Sequence, residues 1–515
     1  METPNRPGPV RGFLGYGAYL PYRRLDRAGI AAVAGSGGGR GTRTVASFDE
    51  DTTTMGVEAA RNALLATGQP TPRALLFATV TPAYADRTNA TAIHAALRLP
   101  ADVPAIDAAG SVRSAAGLLR LALDGGSSAL VVASDIRGGL PGSGDEAAGG
   151  DGASALLVGS SADGPVIAEY LGGASATAEF VDRWRTPGEA RSKLWEEKFG
   201  ENHYLAAGRQ AWNDALKHVG LTADQIDHVA VAGLHARAVA GLGRSLGVRD
   251  NVLADDLAAT VGTTGAAHPG LLLASVFDSL AGTAKAAGRV VAVVVLSDGA
   301  EVFVFRTTDA LRSYAPARPV AAQVAGGAPI AYGKFLAWRG MLAVEPPRRP
   351  EPARTSSSAA ARSVEWKFGF VGSRDRSSGS VHLPPARVSM RGGAVDDMEP
   401  VPMADALGTV KTFTIDRMAY SPSPPVVFAV VDFDGGGRLP IELTDVDAGQ
   451  VRIGDRVEPT FRRVGTADGI HNYFWKARPV SSGAARSGRS QPPGKSEPPG
   501  QSRQSEQSEQ SGQEG

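Results

Sequence analysis

The chain has 515 residues, more than one compact core usually holds, so we expect two or more domains. Its 53 Lys and Arg residues balance 53 Asp and Glu residues, so no global charge attracts nucleic acid or an acidic membrane, and small neutral partners are favoured. The absence of cysteine excludes disulfides, thiolate zinc ligands and a cysteine nucleophile.

The N-terminal segment METPNRPGPVRGFLGYGAYLP lacks the basic stretch and the long apolar core of a targeting signal. The run VVAVVVL near residue 290 is too short to span a bilayer. We therefore expect a soluble, cytoplasmic protein without a membrane partner.

From about residue 10 to residue 310, short β-branched runs alternate with alanine-rich helical patterns, which predicts an α/β region. The segment TTTMGVEAARNALLATG predicts a helix that ends at Gly68, a residue suited to a left-handed cap. In AAGSVRSAAGLLRLAL, residues 108–123, two small residues and a glycine lead into a helix. One buried helix face is predicted from the spacing of Val112, Ala116, Leu119 and Leu123.

Two strand pairs in this region are alike, SALVVASD with GASALLVG and RVVAVVVLSD with AEVFVF. Such a pattern suggests an internal duplication. We place the first domain at residues 1–315 and a connector at 316–364, whose part from residue 341 is a linker rich in Pro, Ser and Arg.

Strand and turn patterns dominate residues 365–480, where a Gly triplet precedes RLPIELTDV and predicts a hairpin within a small β-barrel. Residues 481–515 offer no apolar side chain larger than alanine to bury. We predict a disordered tail there, because burial cannot offset the entropy of ordering it.

The successive motifs GFLGYGAYLP, GDGASALLVG, VAVAGLHARAVAGLGRSLG and VGTTGAAHPGLLLASVFDSL resemble the thiolase superfamily, within it the HMG-CoA synthase and 3-oxoacyl-ACP synthase III branch. The resemblance covers about residues 10 to 310 and implies a duplicated fold of α-β-α-β-α layers. Such enzymes place a cysteine at a buried helix N-terminus near a histidine, and a CoA or carrier thioester acylates it.

This resemblance puts Val112 at the nucleophile position, with Ser111 one residue before it. His235 in LHARAVAGLG matches the family histidine. Thr263 in VGTTGAAH falls where the family has asparagine, and Thr81 lies nearest to the glutamate position of HMG-CoA synthases. The nucleophile, amide and carboxylate positions are therefore changed, and only the histidine is kept.

Each polar candidate has a structural alternative. Ser111 acts as a nucleophile only with a base such as His235 and an oxyanion hole; otherwise it caps its helix. His235 is either that base or a core histidine bonded to a backbone carbonyl. His268 and the pair His203 and Tyr204 are further candidates, which either line an acyl pocket or face solvent.

The segments FGFVGSRDRSSGSVHLPPARVSMRGG and GTVKTFTIDRMAYSPSPPVVFAVVDFDGGGRLPIELTDV are similar to acyl-CoA-associated OB-fold proteins that begin with a rubredoxin-like zinc ribbon. The resemblance implies a ribbon segment at residues 365–397 and an OB-fold domain at 398–480. The four zinc-ligand positions of such a ribbon fall on Asp375, Ser378, Ser389 and Gly392. Serine and glycine give zinc no thiolate, so we expect a degenerate ribbon without metal.

OB barrels also bind single-stranded nucleic acid through stacking aromatic rings beside basic residues. Candidates for that role are Phe413, Tyr420, Tyr473, Phe474, Trp475, Arg462 and Arg463. Strand alternation favours placing alternate rings in the barrel core instead. Because the barrel follows a thiolase-like part, we expect an acyl-CoA or subunit-docking surface and no nucleic-acid partner.

Two functions stay open. The first is a scaffold or partner subunit in acyl-CoA carbon–carbon bond metabolism, which binds an acyl-CoA, forms a homodimer and docks a thiolase-like subunit. The second is an active enzyme, either an aldol-type lyase or an acyltransferase, that uses His235 without a cysteine acyl-enzyme. Both need a CoA thioester as ligand or substrate and no other cofactor.

Overall fold

A computed structural model describes residues 8–189 and 191–480, and the predicted tail lies outside these ranges. The first part of the chain contains fourteen strands: β1 (Arg11–Tyr19), β2 (Arg23–Asp26), β3 (Thr42–Val45), β4 (Leu75–Ala78), β5 (Ala105–Ala108), β6 (Ala129–Asp135), β7 (Gly152–Ser160), β8 (Ala168–Thr177), β9 (Arg183–Trp184), β10 (Lys193–Leu194), β11 (His228–Gly233), β12 (Val290–Leu296), β13 (Gly299–Thr307) and β14 (Ala328–Pro329).

The α-helices of the described ranges are α1 (Ala28–Ala34), α2 (Thr52–Ala66), α3 (Ala90–Ala96), α4 (Arg113–Asp124), α5 (Gly144–Ala148), α6 (Glu197–Val219), α7 (Ala236–Ser245), α8 (His268–Leu280), α9 (Ala310–Ser313), α10 (Val320–Ala325), α11 (Tyr332–Trp338), α12 (Ser357–Arg362) and α13 (Val364–Lys367). Two 3₁₀ turns cover Ala223–Gln225 and Gly265–Ala267. No helix in the described ranges is long and apolar enough to cross a membrane.

Nine strands form one mixed sheet in the order β11-β12-β13-β8-β1-β7-β6-β4-β5. Its two halves are built alike, because β4 runs parallel to β6 and β6 antiparallel to β7, while β11 runs parallel to β12 and β12 antiparallel to β13. Helices α4 and α8 share a core between the two halves, α6 and α7 pack on one outer face, and α2 and α3 pack on the other. The predicted layered α/β fold is confirmed.

The predicted helices form where their local signals place them. Asp51 begins α2 with a capping box, because its carboxylate accepts from the Thr54 N–H and its own N–H donates to Thr54 Oγ1, both at 2.9 Å. Gly68 follows this helix in the left-handed conformation, with φ +79°. The predicted apolar face of α4 is buried.

The second part of the chain has eight strands: β15 (Val371–Asp375), β16 (Val381–His382), β17 (Met398–Pro402), β18 (Gly408–Asp416), β19 (Val426–Phe433), β20 (Arg438–Leu443), β21 (Arg456–Ala467) and β22 (Ile470–Pro479). The first three form a small antiparallel sheet, and the last five close into a barrel in the order β18-β19-β20-β22-β21. The Gly triplet 435–437 turns the β19–β20 hairpin with positive φ at all three residues, as predicted.

Part of the predicted connector is folded structure. Within residues 316–364, β14 pairs with β2, and α10 and α11 pack on the first part of the chain. Tyr332 and Phe335 of α11 are buried, and the Tyr332 hydroxyl donates to Glu146 at 3.0 Å. The sequence signal there is weak because α11 has only seven residues.

The barrel packs on α2 through charged residues that are almost completely buried. Glu58 of α2 accepts a hydrogen bond from Arg478 at 2.7 Å, from Arg61 at 2.8 Å and from the Phe461 N–H at 3.1 Å. Burial alone would raise the pKa of Glu58, but the cations beside it, Arg478 first, lower it to about 2. This carboxylate therefore stays ionised inside the contact between the two parts.

A second buried cluster surrounds Arg462 of β21. Its guanidinium lies 2.8 Å from Asp445, 3.4 Å from Glu50 and 3.8 Å from Asp49. Lys476 lies 3.0 Å from Asp49. Burial raises the pKa of Glu50 to about 7, so this carboxyl titrates near neutrality inside the contact.

Candidate functional site

The position that the resemblance assigns to the nucleophile is apolar and closed. Val112 precedes α4 with helical backbone angles and is 3% exposed. Ser111 Oγ accepts from the Arg113 N–H at 3.2 Å, which is the geometry of the helix-capping alternative. The site thus consists of a buried valine side chain and a serine hydroxyl engaged with the helix.

Arg113, which the sequence analysis did not single out, occupies the corner next to Val112. Its guanidinium donates to the carbonyls of Ser297 (3.2 Å) and Asp298 (2.9 Å) and to the hydroxyls of Ser175 (2.7 Å) and Thr177 (2.9 Å). It also lies 3.1 Å from Glu301. These partners are 62 to 188 residues away along the chain, so no local pattern could have revealed them.

His235 caps α7. Its Nδ1 accepts from the Ala238 N–H at 3.2 Å, which leaves the proton on Nε2, and Nε2 lies 2.8 Å from the Glu197 carbonyl and donates to it. Both ring nitrogens are therefore engaged with backbone groups. Within the described ranges, no hydrogen bond joins His235 to Ser111.

The pair His203 and Tyr204 lies on α6 beside His235. His203 is exposed and stacks on Phe180 at a centroid distance of 4.8 Å. Tyr204 is buried, its hydroxyl donates to Asp182 at 3.0 Å, and its ring centroid is 5.9 Å from that of His235. These contacts fix the position of α6 beside His235.

Thr263 forms two hydrogen bonds through its own backbone groups. Its N–H donates to the Ala148 carbonyl at 2.9 Å and its carbonyl accepts from the Gly150 N–H at 3.0 Å. The neighbouring Thr264 hydroxyl lies 3.3 Å from Nδ1 of His268. Burial lowers the pKa of His268 to about 4, so this imidazole is neutral at physiological pH.

Thr81 lies beside a buried carboxylate that sequence reasoning missed. The Thr81 hydroxyl accepts from the Ile136 N–H at 3.1 Å and lies 3.5 Å from Asp135. Asp135 is fully buried and accepts from the N–H groups of Val80 and Ala266, both at 2.7 Å. Burial raises its pKa despite these bonds.

In the sequence, Asp135 is marked only by its place as an acidic residue at the end of an apolar strand. A glycine is needed opposite it, since a Cβ on Gly265, whose φ is +57°, would lie 2.1 Å from the Asp135 carboxylate. Asp135 thus ties the ends of β4 and β6 to the turn before α8.

The largest opening near these residues is a cleft of about 820 Å³ that includes His235. The first residues of α6 and α7 form one wall, and Trp184 and Trp195 lie on another. Three basic residues, Arg183, Arg191 and Lys193, face four acidic ones, Asp145, Asp182, Glu196 and Glu197. Arg183 is held by Asp145 at 2.7 and 2.9 Å.

Behind α4 the interior is nearly full. A cavity of about 20 Å³ is lined by Ala115, Ala116, Leu119 and Phe303, among other residues. That volume admits about one water molecule and no acyl chain.

Of the four predicted ribbon positions, Asp375 and Ser378 are joined by a hydrogen bond. The Asp375 carboxylate accepts from the hydroxyls of Ser378 (2.6 Å) and Ser377 (2.8 Å). Hydrogen bonds from Ser378, Ser389 and Ser377 hold the pKa of Asp375 far below its usual value. Gly392 lies in the second turn with φ +97°. Within residues 8–189 and 191–480, no group of three His, Cys, Asp or Glu side chains is placed to hold a metal.

The barrel residues considered for nucleic-acid stacking are mostly interior. Tyr473, Trp475 and Arg462 are buried, while Phe413 and Phe474 are partly buried against the same core. The core alternative therefore describes these side chains.

Comparison with known proteins adds two similarities. Residues 401–462 match the family described as ChsH2, C-terminal OB-fold domain. The hydroxymethylglutaryl-CoA synthase of Thermococcus gammatolerans is 28% identical over 268 residues, which cover 50% of this chain and 76% of that protein. The enzyme of the same name from Aeropyrum pernix is 28% identical over 357 residues, 66% of this chain and 96% of that protein.

The fold comparison agrees. The crystal structure of an HMG-CoA synthase complexed with CoA superposes with a TM-score of 0.55 at 18% identity, over 63% of this chain and 89% of that one. The predicted resemblance to thiolase-like HMG-CoA synthases, with a C-terminal OB-fold domain, is confirmed.

Proposed function

We propose that this HMG-CoA synthase-like protein of the thiolase superfamily binds a CoA thioester without being acylated by it. It then acts as a scaffold or partner subunit for carbon–carbon bond chemistry on acyl-CoA. The observation that carries the proposal is the buried Val112 at the nucleophile position, next to a serine hydroxyl that caps α4. A covalent intermediate needs a group that can be both activated and acylated, and Val112 cannot be either.

The geometry of His235 supports the same proposal. A general base needs a nitrogen free to take a proton, whereas Nδ1 of His235 accepts from the backbone and Nε2 donates to it. The lyase alternative requires the bond to Glu197 to break before His235 can act.

The cleft beside His235 is the proposed thioester site. Its volume of about 820 Å³ suits an extended ligand, and an HMG-CoA synthase of the same fold is known as a complex with CoA. Because acidic residues outnumber basic ones by one in its lining, we place the uncharged pantetheine arm there and the phosphates outside.

Two matched substitutions on α7 test this site. Ala236 lines the cleft, whereas Ala240 is exposed on the same helix outside it. We expect CoA to raise the melting temperature of the wild type and of Ala240→Glu but not of Ala236→Glu, because ligand binding stabilises only the native state. Equal stabilisation of all three proteins would rule out the cleft.

Mass spectrometry tests the absence of acylation. We expect the intact mass to be unchanged after incubation with acetyl-CoA or acetoacetyl-CoA. An acetyl group on Ser111 would establish a serine-based acyltransferase instead. Cleavage of a β-hydroxyacyl-CoA that His235→Ala abolishes, with stabilisation by CoA retained, would establish the lyase.

We also propose a homodimer through β5. This strand lies at the edge of the nine-stranded sheet, and Ile106 on it is 51% exposed. Leu121 of the nearby α4 is 70% exposed. An unpaired edge with apolar side chains favours pairing with a second copy, and a thiolase-like subunit is the heteromeric alternative.

A further inference from the structure

A second large groove lies where the barrel meets the first part of the chain. Its volume is about 670 Å³, and its walls come from β2, the segment after β3 and α11 on one side and from two barrel loops on the other. It shares no lining residue with the cleft at His235. The groove therefore exists only because the two parts of the chain are packed together.

Three cations line this groove without a carboxylate partner. Arg23, Lys334 and Arg417 form no ion pair with any residue of the described ranges. Partial desolvation lowers the pKa of Lys334, and the positive charge of Arg23 lowers it further. These two cations therefore lie close enough to repel each other. Like charges held close together in this way favour an anion between them.

The acids that line the groove form no ion pair with these three cations. Asp445 is 2.8 Å from Arg462, and Glu442 is 2.5 Å from Lys476, and both of these cations are buried. Asp447 accepts from the Gly449 N–H at 3.0 Å. Asp447 has no cationic partner among the described residues, whereas Asp445 and Glu442 share Arg462 and Lys476 with other buried carboxylates.

Aromatic rings accompany the cations. The ring centroids of Phe48 and Trp338 are 5.7 Å apart, Lys334 Nζ lies 5.3 Å from the Trp338 centroid, and Arg23 lies 5.0 Å from that of Tyr22. The indole nitrogen of Trp338 is buried, and no acceptor for it lies within the described ranges. A buried donor without an acceptor destabilises the protein, and a bound ligand that supplies an acceptor removes this destabilisation.

We propose that this groove binds a nucleoside phosphate. The phosphates lie among Arg23, Lys334 and Arg417, and the base packs against the rings of Tyr22, Phe48 and Trp338. Cations without a carboxylate partner attract phosphate, and planar rings hold a base by stacking. The volume falls within the range of about 300–1,000 Å³ usual for small-ligand sites. The ligand is either a free nucleotide or the nucleotide end of CoA, and the second source rests on the CoA binding proposed above.

Calorimetry on the complete chain at low salt tests the site, with ADP, inorganic pyrophosphate and adenosine as separate probes. We expect ADP to bind more tightly than pyrophosphate or adenosine, because it engages both the cations and the rings. Lys334→Gln and Arg417→Gln should each weaken ADP binding about tenfold, the loss of one charge-assisted contact. Arg349→Gln, which changes an exposed arginine outside the groove, should leave the affinity within about twofold.

Two further measurements complete the test. Circular dichroism of each variant must match the wild type, which is expected because Lys334 and Arg417 are exposed. Comparison of affinities distinguishes the sources: CoA binding that is tighter than ADP binding and is weakened in both groove variants indicates the nucleotide end of CoA, and CoA binding weaker than ADP binding indicates a free nucleotide. Undetectable binding of 5 mM ADP, or wild-type affinity in both groove variants, would overturn the proposal.

Discussion

Replacement of Arg462 by methionine tests whether the buried charges join the two parts of the chain. The substitution keeps much of the side-chain volume and removes the guanidinium that lies among Asp445, Glu50 and Asp49. Lys476 remains beside Asp49, but Glu50 and Asp445 lose their nearest cation. Breaking a buried pair by removing one partner costs about 3–5 kcal/mol, because an uncompensated charge stays buried.

The loss should depend on pH in a defined direction. Burial already raises the pKa of Glu50 to about 7 from its ordinary 4.5, and removal of Arg462 raises it further. A carboxyl whose folded-state pKa is raised contributes stability that is present below its unfolded value and is lost as pH rises through the folded value. The variant should therefore lose more stability at pH 8 than at pH 5.

Urea unfolding monitored by tryptophan fluorescence at both pH values measures the loss. Arg387→Met is the matched control, because it removes an exposed arginine 2.6 Å from Asp396 and should cost at most about 1 kcal/mol. The double variant Glu50→Gln, Arg462→Met should recover part of the loss at pH 8. Equal effects of Arg462→Met and Arg387→Met, or a penalty independent of pH, would refute this account of the contact.

Four further outcomes are expected. Elemental analysis should find no stoichiometric zinc, and one tightly held zinc per chain would contradict the degenerate ribbon. His235→Ala should cost about 1 kcal/mol in unfolding experiments and His235→Asn much less, because asparagine restores the cap acceptor; equal losses would exclude a capping role. The proposed homodimer should be seen for the wild type in light scattering and Ile106→Lys should be a monomer; a dimer in both would place the interface elsewhere. Asp375→Asn should speed amide hydrogen exchange in residues 371–402, more at pH 7 than at pH 3. The pKa of the Asp375 carboxyl is lowered in the folded protein, so its contribution to stability is lost in acid. Unchanged exchange would exclude a role for the carboxylate.

Local and repeated sequence patterns correctly predicted several helices, a hairpin turn and the family resemblance. The Gly68 cap of α2, the apolar spacing of α4 and the Gly triplet 435–437 each specify structure within a few residues, and the structure agrees with them. The motifs around His235 and Thr263 also gave the family resemblance. Within the predicted connector 316–364, the helices α10 and α11 gave no sequence signal, because they are short and gain their stability from packing.

The charged contact between the two parts left no signal in the sequence. In FDED, residues 48–51, the run of acids is typical of a solvated loop, yet Asp49, Glu50 and Asp51 are buried. Their cations stand about 400 residues later in β21 and β22, and the balanced net charge of the chain hides the pairing. Arg113 and Asp135 were missed for the same reason, since their partners are distant along the chain.

At both places where the resemblance assigns family chemistry, the described side chains form hydrogen bonds with their surroundings. A ribbon that simply lacked its ligands would leave polar groups unpaired around an empty centre, at a cost in stability. Here the Asp375 carboxylate accepts from the hydroxyls of Ser377 and Ser378 in the first turn, and the Ser389 hydroxyl donates to the Arg391 carbonyl in the second. At the nucleophile position, Ser111 caps α4 and Arg113 ties the helix start to β8 and to the β12–β13 turn. These bonds hold both positions in place and fit the binding or scaffolding role proposed above.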